Sequence, residues 1–277
     1  MRIAVTGGNG DLGRRLAPYL LEQGHAVISI DRGLPPALPI FPGDIRYLIA
    51  DTTNFGEFVG SIQGCDAVIH LAAIRSPINN PDHVVYAVNT LSSYNALSAA
   101  SALGIKRVCL ASSINAIGGV FSRVPRYDYF PVDEKHPTYA EEAYGFSKWV
   151  LEQQGDMFAR RFEWMTIASL RFHWLTESLA EVQQNSAAIG EATVARHLWA
   201  YTLYADANRA CLASLTADFT GHEAFYITAP NTMRPEPSLE LARAHYPHVP
   251  IRGDLSGHTS FFNCAKAERL LGWKHEE

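Results

Sequence analysis

The sequence predicts an α/β fold: a doubly wound parallel sheet over residues 1–170, then a smaller, mixed α/β part over 171–277 whose segments can interleave with the first. Three observations lead there. Short apolar runs alternate with helical stretches up to residue 170, as βαβ units require. A glycine-rich turn joins the first strand to the first helix. The strands end on polar or small residues, Asp31, Asp51, Ala72-Ala73 and Ser112-Ser113, at the carboxyl edge where such sheets bind ligands.

Arg2–Thr6 reads as a buried strand, followed by Thr6-Gly7-Gly8-Asn9-Gly10-Asp11-Leu12-Gly13. A helix from Arg14 to Gln23 stops at Gly24, and Pro18 inside it removes a hydrogen bond and predicts a bend. Ala26–Ile30 is the second strand, ending in Asp31. A proline-rich loop from Arg32 to Asp44 holds Pro35, Pro36, Pro39 and Pro42. Ile45–Ala50 is the third strand, Asn54–Gln63 a short helix and Asp66–Leu71 the fourth strand. A long helix spans Pro81–Leu103 and ends at Gly104. Lys106–Ala111 is the fifth strand. Thr138-Tyr-Ala-Glu141 has capping-box form and predicts the start of the next helix. Trp164–Leu170 is the sixth strand. Beyond Arg171 the alternation breaks down. Helices are expected over Glu191–Leu215, Pro237–Tyr246 and Ala265–Trp273, with a strand at Phe225–Thr228.

The glycines at 7, 10 and 13 have separate tasks. Gly7 permits the tight turn, Gly10 lets backbone approach a pyrophosphate, and Gly13 lets helix pack on strand. The phosphates then meet a helix N-terminus, where free N–H groups and the dipole favour negative charge. Asp31 lies eighteen residues after Gly13, where an acid grips the adenosine ribose. This is the Rossmann-type dinucleotide fingerprint. Asp31 would repel a 2′-phosphate and favour NAD. Arg32 argues the other way, since a guanidinium there can pair with that phosphate.

Tyr144-Gly145-Phe146-Ser147-Lys148 places a phenol and an ammonium one helical turn apart on one face. A free phenol titrates near ~10 and is a poor base at neutral pH. A neighbouring cation favours the phenolate, so the pair can take an alcohol proton.

Composition excludes several classes. Apolar residues make up 47% of 277, ordinary for a globular chain. No stretch approaches a membrane span of ~18 apolar residues, and no secretory signal is expected. The net charge of −5, without long basic runs, argues against nucleic acid as the main partner. Cys65, Cys109, Cys211 and Cys264 are far apart, and the eleven histidines lack metal-ligand spacing. Reduced thiols, a cytoplasmic location and no metal are the expectation.

Taken together, these motifs resemble the extended short-chain dehydrogenase/reductases, the NAD-dependent epimerase/dehydratase group. The likeness rests on TGGNGDLG at 6–13, Asp31, Asp51, HLAA at 70–73, Asn89, SS at 112–113, YGFSK at 144–148, LR at 170–171 and LLGW at 270–273. It implies an NAD cofactor held by Gly7, Asn9, Gly10, Asp11, Leu12, Gly13, Asp31, Arg32, Leu71, Ala72 and Ala73. Asp51 and Thr52 would lie near adenine or cap a helix. Asn89 would be a buried residue organising the cofactor site. Tyr144 would be the base, Lys148 would hold the nicotinamide ribose and depress the phenol, and Ser113 would bind the reacting oxygen. His70 reads as a packed strand residue.

Departures from the family pattern shift the reading. Ser113-Ile114-Asn115-Ala116 lacks the Asp-Glu pair of the dehydratases. The stretches after Arg171 and around Leu203 differ from the nucleotide-sugar epimerases, and the C-terminal part is short. These points favour a small substrate, oxidised at a secondary hydroxyl of a sugar or sugar derivative, as in aldose and uronate dehydrogenases. A nucleotide-sugar epimerase and a non-catalytic dinucleotide sensor are the alternatives. Arg75, Ser113, Asn115, Arg171 and the Ser122–Pro131 loop are the expected substrate contacts, although each arginine could instead form a salt bridge. Val84, Val85, Tyr86, Val88, Leu91, Tyr94 and Leu97 carry more apolar surface than one helix needs against a sheet, which predicts a homodimer.

Overall fold

The computed structural model describes residues 1–35, 37 and 41–276; Pro36 and Pro39 of the proline-rich loop lie outside the described residues. The chain opens with β1 (Arg2–Thr6), α1 (Gly13–Glu22), β2 (Ala26–Asp31), β3 (Ile45–Ile49), α2 (Phe55–Ser61), β4 (Ala67–His70), α3 (Asp82–Ala102) and β5 (Arg107–Ser113). A 3₁₀ turn at Ile114–Ile117 leads towards α4 (Ala143–Arg161) and β6 (Thr166–Phe172). There follow β7 (Leu175–Thr176), α5 (Leu179–Ala187), α6 (Glu191–Arg196), β8 (Thr202–Leu203), α7 (Tyr204–Thr216), β9 (Gly221–Ile227), α8 (Ser238–His245) and α9 (Ala265–Leu271).

Seven strands pair in parallel in the order β3-β2-β1-β4-β5-β6-β9. The order reverses direction between β1 and β4, and the crevice at that switch point is where such sheets bind ligands. The alternation along β1 shows how the layers form. Ile3 and Val5 face one side, with Leu16 and Leu20 of α1 and Cys211 and Leu215 of α7. Ala4 faces the other, with Ala96 and Leu97 of α3 and Leu151 and Phe158 of α4. Each fully buried Val, Leu, Ile or Phe among them contributes about 1.5–3 kcal/mol. A third core of Phe130, Trp199, Tyr226 and Phe261 holds the C-terminal segments against the carboxyl edge of the sheet.

Three sequence expectations need correction. The helix carrying Tyr144 is not opened by the Thr138–Glu141 box. Its N-cap is Glu142, while the Thr138 hydroxyl donates to the Ala116 carbonyl at 2.8 Å. The helix expected over Glu191–Leu215 is broken. Leu198 and Trp199 take left-handed backbone angles, φ 50° and 51°, and β8 intervenes before α7. Burial of Trp199 explains the break, because its indole packs on Phe261 and donates to Glu191 Oε1 at 2.9 Å. The last strand begins at Gly221, four residues before the expected Phe225, and joins the main sheet beside β6. Pro18 is accommodated inside α1, which continues to Glu22.

Candidate active site

Two adjoining cavities, of about 390 and 190 Å³, share Gly7, Gly10, Leu71, Ala73 and Arg75 and form one cleft over the strand ends. The glycine turn sits at its middle. Gly7 has φ +69°, and a Cβ there would lie 2.9 Å from the Ala72 nitrogen. A Cβ on Gly13 would run into the Gly7 carbonyl and the Gly8 Cα, so the start of α1 sits directly on the loop. The Thr6 hydroxyl accepts from Leu71 N at 3.1 Å and Ala72 N at 3.2 Å, which ties the ends of β1 and β4 together. It also pairs with His70 Nδ1 at 2.9 Å, and burial drives that imidazole down to about 3, so it is neutral.

The smaller cavity is lined by Asp31, Arg32, Asp51, Thr52 and Ala72. Asp31 is oriented by backbone: Oδ2 accepts from Asn9 N at 2.9 Å and Oδ1 from Arg32 N at 2.8 Å. Asn9 in turn donates from its amide to Gly33 O at 2.7 Å. Asp51 accepts from the Thr53 backbone and hydroxyl, which hold its carboxyl below the usual range. The helix cap that Asp51 could have supplied is made by Asn54.

The larger cavity receives Asp11, Leu12, Ser113, Asn115, Tyr144 and Lys148. Tyr144 stands in the first turn of α4, where Glu142 accepts from Tyr144 N at 2.7 Å and Gly145 N at 2.6 Å. The next residue has no room for a side chain, since a Cβ on Gly145 would lie 2.5 Å from the Asn115 carbonyl oxygen. The phenol ring meets Phe121 edge-on at 5.9 Å. Burial pushes its pKa above the ordinary value, a hydrogen bond with Ser113 opposes this, and Glu142 adds to the rise. Lys148 is buried, and burial pulls its ammonium down to about 8 against the opposing field of Glu152. Its Nζ donates to Ala111 O at 2.8 Å and lies 5.8 Å from the Tyr144 ring centroid. In this geometry burial is the largest influence on the phenol, ahead of the opposing hydrogen bond with Ser113.

Arg171 departs from expectation. Its Nε and Nη2 donate to the two carboxylate oxygens of Glu152 at 2.9 and 2.7 Å, both side chains are buried, and Ser112 Oγ donates to the same carboxylate at 2.6 Å. The guanidinium also lies over the Tyr226 ring, and neither cavity includes it. It is structural because a β6 side chain on this face points into the α4 interface rather than out of the strand end. Asn89 is likewise outside both cavities. Its amide bridges Ile74 and the Ser147 hydroxyl at 2.8–3.0 Å, fixing α3 to α4 and to the loop after β4. Arg75 does reach the cleft mouth, largely exposed and paired with Asp11 at 2.7 Å. In the loop before Pro131, it is Val120 and Phe121, just ahead of the expected Ser122–Pro131 stretch, that line the cleft.

Sequence reasoning missed the far wall of the cavity: Phe121, His173, Trp174, Leu175, His197 and Tyr204. No motif marks these residues, which come together only when the segments after β6 fold over the sheet. The cleft fits a dinucleotide. It is continuous, has glycine backbone at its centre and an oriented carboxylate at one end, and places Tyr144 and Lys148 at the other.

A doubly wound parallel sheet with a glycine fingerprint and a Ser–Tyr–Lys cluster at its switch-point cleft defines a Rossmann-type dinucleotide-binding protein of the short-chain dehydrogenase kind. More particularly, this chain belongs to the NAD dependent epimerase/dehydratase family, whose model matches residues 3–190. It is 34% identical over 144 residues to a putative dihydroflavonol 4-reductase of Synechocystis, covering 50% of this chain and 41% of that protein. It is 29% identical over 184 residues to a dTDP-6-deoxy-L-talose 4-dehydrogenase (NAD(+)) of Aggregatibacter actinomycetemcomitans, covering 64% and 62%. The chain thus spans roughly half the length of these curated relatives. Among solved structures, a mutated uronate dehydrogenase superimposes with a TM-score of 0.72 at 21% identity, over 100% of this chain and 82% of that one, which is a likeness of fold.

Proposed function

We propose that this chain is an NAD-dependent oxidoreductase acting on a secondary hydroxyl of a sugar or sugar derivative, with Tyr144 as its base. The observation that carries the reading is the meeting of Ser113, Tyr144 and Lys148 at one end of a cleft whose other end holds Asp31. Family membership and relatives named as a dehydrogenase and a reductase support it. When bound, the nicotinamide supplies the hydride acceptor. Ser113 would orient the substrate oxygen, and Tyr144 Oη would take its proton. The Lys148 ammonium would hold the nicotinamide ribose and favour the phenolate as substrate closes the site. Asp31 would accept from the adenosine ribose hydroxyls.

Titration with NAD and NADP, followed by absorbance with free sugars, tests this. NAD should bind more tightly and NADH should accumulate. Comparable NADP affinity would overturn the cofactor assignment. A tightly held cofactor without net reduction would favour the nucleotide-sugar epimerase alternative, and cofactor binding without any turnover the sensor.

We also read the outer face of α3 and α4 as a homodimer surface. Tyr86, Leu91, Tyr94 and Phe146 are exposed on it, with Tyr86 stacked on Phe146. Light scattering at micromolar concentration should give a dimer, and a monomer contradicts the reading. The four cysteines are unpaired, and no helix among the described residues is long and apolar enough to cross a membrane. A reducing cytoplasmic setting fits both.

A further inference from the structure

The cleft wall beyond Tyr144 offers no uncommitted cation among the described residues. Each nearby arginine already has a partner, and the one that lines the cavity, Arg75, lies at its largely exposed mouth. Arg75 pairs with Asp11 at the mouth, Arg171 with Glu152 in the interior, and Arg15 with Glu177 while stacking on Tyr204 at 4.0 Å. Arg196 donates to the Ser122 and Arg123 carbonyls. Lys148 donates to Ala111 O on the floor of the site.

What the wall presents is aromatic and uncharged. His173 and His197 stack at 5.1 Å with their planes 2° apart, and Trp174 lies 4.8 Å from the His197 ring. His173 is fixed in one neutral tautomer: Trp174 N donates to its Nδ1 at 2.7 Å, and its Nε2 donates to His197 O at 2.8 Å. Burial holds His173 down to about 4 and His197 down to about 3, so neither carries charge near neutrality. Phe121 completes the wall against the Tyr144 ring.

We propose that this end of the cleft takes an uncharged cyclic alcohol, and that a carboxylate or phosphate on the part of the substrate seated there is selected against. The inference rests on the oxidoreductase reading and narrows it. An anion seated against His173, Trp174 and Phe121 loses its water and meets no cation on that wall, since Arg75 lies at the mouth and Lys148 on the floor, which is unfavourable. A neutral imidazole can pair with a hydroxyl but cannot balance an anion. The faces of Phe121 and Trp174 suit the C–H side of a ring. A neutral sugar and a hydrophobic cyclic alcohol share this chemistry.

The test uses the full chain saturated with NAD and measures the affinity of four probes: galactose, galacturonate, galactose 6-phosphate and tetralol. Galactose and galacturonate differ only in the carboxylate. The better neutral probe should bind tighter than both charged probes by on the order of tenfold or more. Whether galactose or tetralol leads tells sugar from hydrophobic alcohol. Phe121→Arg, which installs a cation on the wall, should narrow or reverse the gap between galactose and galacturonate. Galacturonate or galactose 6-phosphate binding as tightly as the better neutral probe overturns the inference, as does failure of both neutral probes to bind. Because NAD saturation is verified first, loss of NAD binding counts against the parent reading and the probe ratio against this one alone.

Discussion

Arg171→Ala should weaken the fold rather than substrate binding. The substitution removes both hydrogen bonds to Glu152 and leaves a carboxylate that is about 4% exposed with only the Ser112 hydroxyl as partner. Breaking a buried ion pair from one side costs about 3–5 kcal/mol, since the remaining charge is stranded. Set against a total stability of about 5–15 kcal/mol, that is a large fraction. Loss of the aliphatic stem over Tyr226 adds to it. Urea denaturation should show a lower midpoint with an unchanged slope. The double variant Arg171→Met with Glu152→Leu should recover most of the loss, because an apolar pair of similar volume carries no stranded charge. A single variant within about 1 kcal/mol of the parent, with KM for substrate raised, would refute this reasoning and return Arg171 to the substrate site.

Two further outcomes follow from the same geometry. Gly145→Ala replaces a poor helix former with a good one, worth about 0.8–1 kcal/mol by propensity alone. The Cβ position 2.5 Å from Asn115 O should reverse the sign, giving a net loss of about 1–3 kcal/mol and a fall in kcat as Tyr144 shifts, read by denaturation and steady-state rates. Lys148 titrates at about 8 in the folded chain against an ordinary 10.5, so the folded form binds fewer protons between those values and its contribution to stability rises with pH across that window. NAD affinity should move the opposite way, falling above about pH 8 as the ammonium is lost; an affinity flat from pH 7 to 9 contradicts the ribose-holding role.

The cofactor half of this molecule was readable because its chemistry is local in sequence. The glycine turn, Asp31 and the Tyr144–Lys148 spacing each follow from one strand end or one helix turn, and the structure brings them to one cleft. The substrate half was not readable, for physical reasons. His173 and Trp174 meet His197 from more than twenty residues away, and the left-handed turn at Leu198–Trp199 beside it runs against the helical periodicity of its own segment. Arg171 shows the converse error. Its place at a strand end suggested a ligand, but Glu152, nineteen residues earlier on α4, answers it in the interior. Helix capping failed in the same manner, since Glu142 out-competes Thr138 once the Ala116 carbonyl takes the threonine hydroxyl.

The central claim is that Tyr144 moves the substrate proton, and Tyr144→Phe tests it most directly. The ring and its edge contact with Phe121 are retained, so only the hydroxyl and its bond with Ser113 are lost. Stability should change by only about 0.5–1.5 kcal/mol. The measurement is kcat on the best-bound alcohol with saturating NAD, alongside NAD affinity by titration. The account predicts a fall in kcat on the order of 10²–10⁴ with NAD affinity nearly unchanged. Near-normal turnover in Tyr144→Phe, with the fold intact, would contradict it.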